Sequence, residues 1–284
     1  MIPMIVSVEI PIFLLFIGFV VYLTKKDKKS LKLVFYLILY ALLFENVNVI
    51  LSRNNVGGYY YNPGFILLGH VPLFVVLSWV MIIYSSMRIT DSFSFSEFSK
   101  PFVDALLAVL VDLSVDVVAI RLGFWFWQGY RLTAGWFGVP GNNFIGWLLV
   151  AFTFCYLWRN YSKKLGFFII PLAYATYFIL FMFLIKPFES ILPQKTGELF
   201  IFGGLLIVFL LMFLGTKKKI QKVEKTPLMI YLIRVPFFLF GLIGLFAFGF
   251  YKESNILAIS SALCFLLETS IFLSSHHIRM KKTK

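Results

Sequence analysis

The chain is 284 residues long, and 60% of its residues are hydrophobic while only 14% are charged, with a mean hydropathy of +0.89. Soluble domains carry about 25% charged residues, so this composition excludes a soluble globular protein. The net charge of +13 does not indicate nucleic-acid binding, because the basic residues cluster in short segments between long apolar runs. Such runs, each able to cross about 30 Å of hydrocarbon as a helix, predict a multi-pass membrane protein.

The apolar runs predict an all-α fold, a bundle of about nine transmembrane helices, with eight as the alternative count because the seventh run is the weakest. The predicted spans are residues 4–23, 32–52, 65–87, 102–122, 143–159, 167–185, 198–215, 228–250 and 255–274. The first run lacks a basic segment before it and a small-residue cleavage site, so we expect an uncleaved helix. No linker interrupts the runs, which predicts one transmembrane domain over residues 1–284.

The distribution of lysine and arginine predicts the orientation of the bundle. Counting Lys32, Arg159 and Arg234 with the loops that they adjoin, 20 of the 26 basic residues fall on one side of the predicted membrane. Positively charged loops stay in the cytoplasm and attract anionic lipid. We therefore expect a protein of the cell membrane with its N-terminus outside and its C-terminus in the cytoplasm.

Several kinds of chemistry lack the residues that they need. Three histidines are too few for the eight-histidine di-iron sites of membrane desaturases, and neither a dinucleotide-binding glycine motif nor a phosphate-binding loop occurs. Cys155 and Cys264 lie in different apolar runs, where we interpret them as packing residues. His276 and His277 lie in a basic tail without a third ligand. We expect no metal site and no cofactor.

Five acidic residues fall within the predicted spans, at Glu45, Asp104, Asp112, Asp116 and Glu268. A carboxylate at mid-membrane costs about 2.5–3.5 kcal/mol, and burial favours the neutral acid, so each is a candidate for function. Asp112 and Asp116 are four residues apart and therefore share one face of a helix. We assign Asp104, near the cytoplasmic end, a solvated role and Glu268 a structural one.

Glu45, His70 and Arg121 fall at a depth comparable to that of the two aspartates, in the outer half of the predicted bundle. One polar pocket could gather all five residues. The alternative is structural in each case: an ion pair between Asp116 and Arg121 or a hydrogen bond to Asp112 from a tryptophan N–H, hydrogen bonds between helices for Glu45, and an interfacial position for His70.

The segment 112–147 is the most unusual part of the chain, because it holds four of the six tryptophans together with several glycines. An aromatic belt at the level of the lipid headgroups explains some of the tryptophans. It does not explain why two aspartates precede them and two asparagines follow. The segment therefore adds these candidates for substrate binding: Trp125, Trp127, Trp136, Asn142 and Asn143.

The motifs D-x-x-x-D, R-L-G-x-W-x-W and G-W-F-G-V-P-x-x-N-F-x-G-W, in that order between Asp112 and Trp147, resemble the carotenoid-biosynthesis membrane protein family. A second block is similar to the family's G-x-Y-x-Y, V-P-L and tryptophan pattern: Gly58-Tyr59-Tyr60-Tyr61, Val71-Pro72-Leu73 and Trp79. The resemblance covers about residues 45–160. Val117 and Phe137 stand where the family usually has proline and tyrosine, which indicates a divergent member.

The characterised members of that family are hydratases of linear C40 or C50 carotenoids, so the resemblance implies addition of water to a terminal C1,2 double bond. Such a reaction needs an acid, a tertiary carbocation and water, and no redox cofactor. The resemblance implies acid–base roles for Asp112, Asp116 and Glu45. It implies that the tryptophans stabilise the cation, that the asparagines orient water, and that Tyr61 lies in the substrate site. The expected partners are a linear carotenoid or other isoprenoid and the membrane lipids.

Three other functions stay open at this stage. A prenyltransferase is one, because Asp112-x-x-x-Asp116 is a fragment of a diphosphate-binding pattern, although a second aspartate-rich motif is missing from the sequence. A transporter or lipid carrier could use the carboxylates as proton sites, but the chain has no internal repeat. A carotenoid cyclase would form the same cation and exclude water from it.

Overall fold

The computed structural model of the chain describes residues 4–64, 66–189, 194–214 and 226–277. In these ranges the chain forms nine long α-helices. They are α1 (Met4–Lys26), α2 (Leu31–Ser52), α3 (Leu73–Asp91), α4 (Lys100–Arg121), α5 (Gly141–Leu165), α6 (Ile169–Glu189), α7 (Gln194–Leu214), α8 (Leu228–Ala247) and α9 (Asn255–His277). The shortest has 19 residues and the longest 25, which gives lengths of about 28–38 Å.

Four short β-strands form two ribbons at one end of the bundle. Strand β1 (Tyr59–Tyr61) pairs antiparallel with β4 (Trp125–Trp127), and β2 (Leu67–Leu68) pairs with β3 (Val71–Pro72). We call this end of the bundle the ribbon end and the opposite end the basic end. The prediction of an all-α bundle is confirmed, and the ribbons are small additions to it.

The chain is a multi-pass membrane protein. Seven stretches of the described residues are long and apolar enough to cross a membrane, and one of them, Gly141–Ile185, contains α5 and most of α6. Helix α4 does not qualify by composition, since Asp104, Asp112 and Asp116 all lie on it. The nine helices of the described ranges agree with the predicted number of spans.

The third predicted span begins too early. Residues 66–72 form the β2–β3 hairpin, in which Gly69 has a φ of +71°, a conformation that glycine adopts without strain. Pro72 then precedes the first residue of α3 in an extended conformation. Apolar composition predicts that a segment is buried or in lipid, but it does not reveal a turn within that segment.

Helix α4 lies at the centre of the bundle, where it contacts α3, α5, α7, α8 and α9. Most of its residues are buried, including its three aspartates. It passes close to α8 at Gly241, where a Cβ atom would lie 2.5 Å from the carbonyl oxygen of Ser114. Small residues at such crossings let two backbones approach. This crossing holds α4 against α8 next to Asp112 and Asp116.

Two charged residues that we expected near water, Asp104 and Arg234, form buried ion pairs instead. Asp104 is fully buried rather than solvated, and its Oδ2 accepts a hydrogen bond from Arg159 Nε at 2.7 Å. Arg234, which we counted with a cytoplasmic loop, is fully buried in α8 and its Nε lies 2.6 Å from Glu268 Oε1. A buried charge needs such a partner, and hydropathy does not identify which partner it finds.

Candidate functional site

A cavity of about 430 Å³ lies in the half of the bundle towards the ribbon end. Residues of α1–α6 and α8 line it, together with β1 and β4. Most of the lining side chains are apolar, and the polar ones belong mainly to α2, α4, α5 and the ribbon. A mostly apolar pocket with a few convergent polar groups is the usual form of a site for a small molecule.

Asp112 and Asp116 lie one helical turn apart on the α4 wall of the cavity and are only 3% and 5% exposed. The side-chain amide of Asn143 bridges them, since Nδ2 lies 2.9 Å from Asp112 Oδ2 and 2.7 Å from Asp116 Oδ2. Two carboxyl groups that share one buried site seldom both ionise, because their negative charges repel. We call these two residues the aspartate pair.

Glu45 on α2 forms a second polar group in the cavity wall. The hydroxyl groups of Tyr59 and Tyr61 both donate to its Oε2 at 2.7 Å, and Trp79 lines the same cavity. Alternate residues of a strand face the same side, so Tyr59 and Tyr61 point inwards while Tyr60 is 52% exposed. Burial and the nearby carboxylate raise the pKa of Tyr59 and of Tyr61, so both hydroxyl groups remain donors.

Aromatic rings make up much of the remaining lining. Four of the six tryptophans of the chain line the cavity, namely Trp79, Trp125, Trp127 and Trp147. Trp79 and Trp147 stack with their ring centroids 4.2 Å apart. Trp125 and Trp127 are held by β1, whose Tyr61 and Tyr59 lie opposite them in register. The negative faces of such rings attract a cation.

Eight of the eleven residues that the sequence predicts for the site line this cavity. They are Glu45, Tyr61, Asp112, Asp116, Trp125, Trp127, Asn142 and Asn143.

Arg121, His70 and Trp136 are not among the lining residues. Arg121 pairs with Glu253 at 2.6 Å, not with Asp116, and donates to the carbonyl oxygen of Phe137. His70 is exposed at the β2–β3 turn, and Trp136 contacts the ring of Phe137. The prediction for Arg121 and His70 used depth in the membrane, and residues at one depth can lie on any side of a bundle.

Sequence reasoning missed Tyr59, Trp79 and Trp147. Sequence spacing could have identified two of them. Tyr59 lies two residues before Tyr61 on a strand, and Trp147 lies four residues after Asn143 on a helix. Both spacings place the two side chains on one face. Trp79 lies on α3 with no such neighbour among the predicted residues, and the block of family motifs was its one signal.

The aspartate pair supplies two possible ligands for a metal ion, which is fewer than a metal site usually has. Within the ranges that the structure describes, no group of three or more histidine, cysteine, aspartate and glutamate residues lies close enough to hold one. Two buried carboxyl groups bridged by Asn143 at an apolar cavity are suited to holding and releasing a proton beside an apolar ligand.

The fold and the cavity define an integral membrane protein with a buried acid pair facing an apolar, tryptophan-lined site. The sequence matches the family described as carotenoid biosynthesis protein over residues 5–204, and the chain belongs to that family. The resemblance found in the sequence is thereby confirmed. The match includes the aspartate pair, Glu45 and the ribbon, and it indicates a role in carotenoid biosynthesis, with an isoprenoid substrate and a membrane location. No curated protein and no solved structure matches the chain.

Proposed function

We propose that this protein is a cofactor-independent hydratase that adds water to the terminal C1,2 double bond of a linear carotenoid. The observation that carries the proposal is the aspartate pair, bridged by Asn143 at the wall of an apolar cavity. Membership of the carotenoid biosynthesis family supports the substrate class. A protonated carboxyl group close to an apolar ligand is the acid that this reaction needs.

The first step is transfer of a proton from the aspartate pair to C2 of the double bond. The two π electrons form the new C–H bond, and a tertiary cation remains at C1. The pair has then lost its proton and carries one more negative charge, which stabilises the nearby cation in a site with little water. General acid catalysis of this kind contributes about 10²–10⁴-fold to a rate.

The second step is capture of the cation by water. The water oxygen forms a bond to C1, and the excess proton returns to the aspartate pair, so the enzyme regains its starting state and one water has been added. The two carboxyl groups act as one unit with a shared proton, and we assign the acid and base roles to the pair.

Glu45 and the tryptophans support the cation in this mechanism. Glu45 is a further carboxyl group within electrostatic reach of Asp116, and Tyr59 and Tyr61 fix its position. Each ring face of Trp125 and Trp127 contributes about 0.5–2 kcal/mol to binding a cation in a dry site. Apolar side chains on several helices supply a surface for the polyene, among them Phe44, Phe74, Phe181, Phe237 and Phe240.

Substitution of each aspartate tests the proposal. Asp112→Asn and Asp116→Asn keep the size of the side chain and remove its acid, so we expect the hydrated product to fall by about 100-fold or more. The measurement is pigment analysis of cells that make linear carotenoids and express each variant. Asp27→Asn is the matched control, since Asp27 lies between α1 and α2 at the basic end and does not line the cavity.

Wild-type amounts of hydrated product from both aspartate variants would contradict the proposal and leave the pair a structural feature. A wild-type product isomeric with its substrate would indicate a cyclase, and a product heavier by a prenyl unit would indicate a transferase. Unchanged pigment that copurifies with the protein would indicate a carrier.

A further inference from the structure

A buried carboxyl group on α7 is bonded to the wall of the cavity, although the described part of α7 lines no part of it. Glu198 is 3% exposed. Its Oε1 accepts a hydrogen bond from Asn142 Nδ2 at 2.8 Å, and its Oε2 accepts from the hydroxyl of Tyr130 at 2.7 Å and from the backbone N–H of Asn142 at 3.3 Å. Glu198 therefore holds both the backbone and the side chain of a residue that lines the cavity.

These contacts fix which way the amide of Asn142 is turned. A carboxylate accepts hydrogen bonds and donates none, so Glu198 binds the amide nitrogen and leaves the amide oxygen on the other side. That oxygen, Asn142 Oδ1, is buried and has no hydrogen-bond partner within the described part of the chain. The indole N–H of Trp127, another lining residue, is likewise a buried donor without a partner there.

A hydrogen-bond acceptor and a hydrogen-bond donor on two lining residues both lack partners within the described residues. They indicate a bound molecule that can both donate and accept hydrogen bonds. Buried polar groups are nearly always satisfied, by protein or by water, and water can donate a hydrogen to an acceptor such as Asn142 Oδ1 or accept one from a donor such as Trp127 Nε1. Asn143, the next residue, bonds the aspartate pair. The first turn of α5 thus carries the contact to the acid and an acceptor for water.

The position of Glu198 is fixed by the way α7 meets α5. Gly141, the first residue of α5, permits the close approach, because a Cβ atom there would lie 2.5 Å from the carbonyl carbon of Glu198. A negative charge near the N-terminus of a helix is favourable. Burial and the bond to Glu198 raise the pKa of Tyr130 well above its ordinary value, so its hydroxyl group remains a donor to Glu198.

We propose that Glu198 is a positioning residue, which turns the amide of Asn142 so that its oxygen holds the water that captures the carbocation. This inference rests on the proposed hydratase function. The proton step then belongs to the aspartate pair, and the water step depends on Asn142 and Glu198. One hydrogen of the water bonds Asn142 Oδ1, the oxygen lone pair forms the bond to C1, and the excess proton passes to the aspartate pair.

The two steps can be measured separately in D₂O. A cation that water does not capture loses a proton from a neighbouring carbon to the aspartate pair and becomes an alkene again. Because the pair exchanges its proton with solvent, such a return leaves deuterium in the unhydrated carotenoid. Deuterium in recovered carotenoid therefore reports the proton step, and hydroxylated product reports the water step.

Glu198→Gln removes the fixed orientation with little change in shape. The new amide nitrogen can bond Asn142 Oδ1 and so turn the Asn142 amide around. We expect hydrated product to fall by about tenfold or more, since an active-site hydrogen bond worth about 1.4 kcal/mol is a factor of ten, while deuterium incorporation is retained or rises. Asn142→Leu is expected to behave in the same way. Glu253→Gln, which alters an ion pair at the same end, is the control and should keep the wild-type ratio of the two readouts.

A double variant gives the sharper test. In Glu198→Gln with Asn142→Asp, the glutamine nitrogen donates to one carboxylate oxygen of residue 142, and the other carboxylate oxygen is left as an acceptor in place of the amide oxygen. Tyr130 still donates to the glutamine oxygen. We expect the double variant to form clearly more hydrated product than Glu198→Gln, and that recovery supports the assignment.

Three results would overturn it. Glu198→Gln could keep the wild-type ratio of hydration to exchange, or it could lose both readouts together while present in membranes at wild-type amounts, as a purely structural residue would. The double variant could also form no more product than the single one. A wild-type protein that shows neither deuterium incorporation nor hydration contradicts the hydratase function itself, and this assignment with it.

Discussion

Tyr59 and Tyr61 share one acceptor, Glu45 Oε2, while Tyr60 between them points out of the cavity and stacks on Phe126. Removing a hydrogen-bond donor from a buried polar group costs about 1–3 kcal/mol. We therefore expect Tyr59→Phe and Tyr61→Phe each to lower the rate of hydration by about tenfold. The rate is measured in membranes at matched protein amounts.

Tyr60→Phe is the control for these two variants, because it lies on the same strand and keeps the stacked ring. It should retain the wild-type rate. A loss in Tyr60→Phe as large as that in its neighbours would mean that the strand is sensitive to any substitution and that the bonds to Glu45 have no separate role.

Asn143 is the residue on which the geometry of the aspartate pair depends most directly. Asn143→Ala removes the amide that bonds both carboxyl groups, and we expect at least about a tenfold loss of hydrated product, from the loss of two hydrogen bonds to buried acids. Asn160→Ala, an exposed asparagine on the same helix, should leave the amount of product unchanged. Equal amounts from the two variants would contradict the role of Asn143.

The sequence predicted which site residues lie together on one helix, but it did not predict the contacts between residues of different helices. Asp112 and Asp116 are four residues apart, so their common face follows from helix geometry. The bridge from Asn143 joins α4 to α5 across 27 and 31 residues, and no periodicity connects those helices. Arg121 could not be assigned to Glu253 for the same reason, since 132 residues separate the two.

The crossing of α4 and α8 is the contact between elements that we expect to be least tolerant of substitution. A Cβ atom at Gly241 would lie 2.5 Å from the backbone of Ser114, between the two aspartates in sequence, whereas at Gly203 on α7 it would meet no atom within 4 Å. We expect Gly241→Ala to lower the free energy of unfolding by about 1–3 kcal/mol through overpacking.

Gly203→Ala is the matched control and should be neutral or slightly stabilising, because alanine favours a helix over glycine. The measurement is the thermal unfolding midpoint of the purified protein in detergent. If Gly241→Ala unfolds at the same temperature as Gly203→Ala, the close approach of α4 and α8 is wrong.

The helices were the most predictable elements, because crossing a membrane requires long apolar segments that hydropathy detects. The β1–β4 ribbon was not predictable in this way. Its strands are three residues long, and α3 and α4 separate them in the sequence. Strands that short show no clear alternation of polar and apolar residues, so the sequence contains no signal for them. That ribbon supplies Tyr59, Tyr61, Trp125 and Trp127 to the cavity. The sequence made the last three of them candidates but did not predict their pairing in one ribbon.

For the whole molecule, the basic residues predict that the ribbon end faces outwards and the basic end faces the cytoplasm. Asn54, in the loop after α2, and Lys29, in the loop before it, are both exposed and lie at opposite ends. We expect a membrane-impermeant maleimide to label Asn54→Cys in intact cells and Lys29→Cys only in permeabilised cells. The native Cys155 and Cys264 are buried.

The unsubstituted protein serves as the control for that experiment and should take up little label. Labelling of Lys29→Cys in intact cells would reverse the predicted orientation. Labelling of both positions in intact cells would contradict an odd number of crossings between them, and with it the arrangement of α2.

The central claim is that water adds to the end of a linear carotenoid, and incubation of the purified protein with such a carotenoid in H₂¹⁸O tests it most directly. The hydration mechanism predicts a product that is heavier than its substrate by one H₂¹⁸O for each modified end, with the label in a tertiary hydroxyl group. A product with the mass of its substrate, or one whose new oxygen is unlabelled, would contradict the claim.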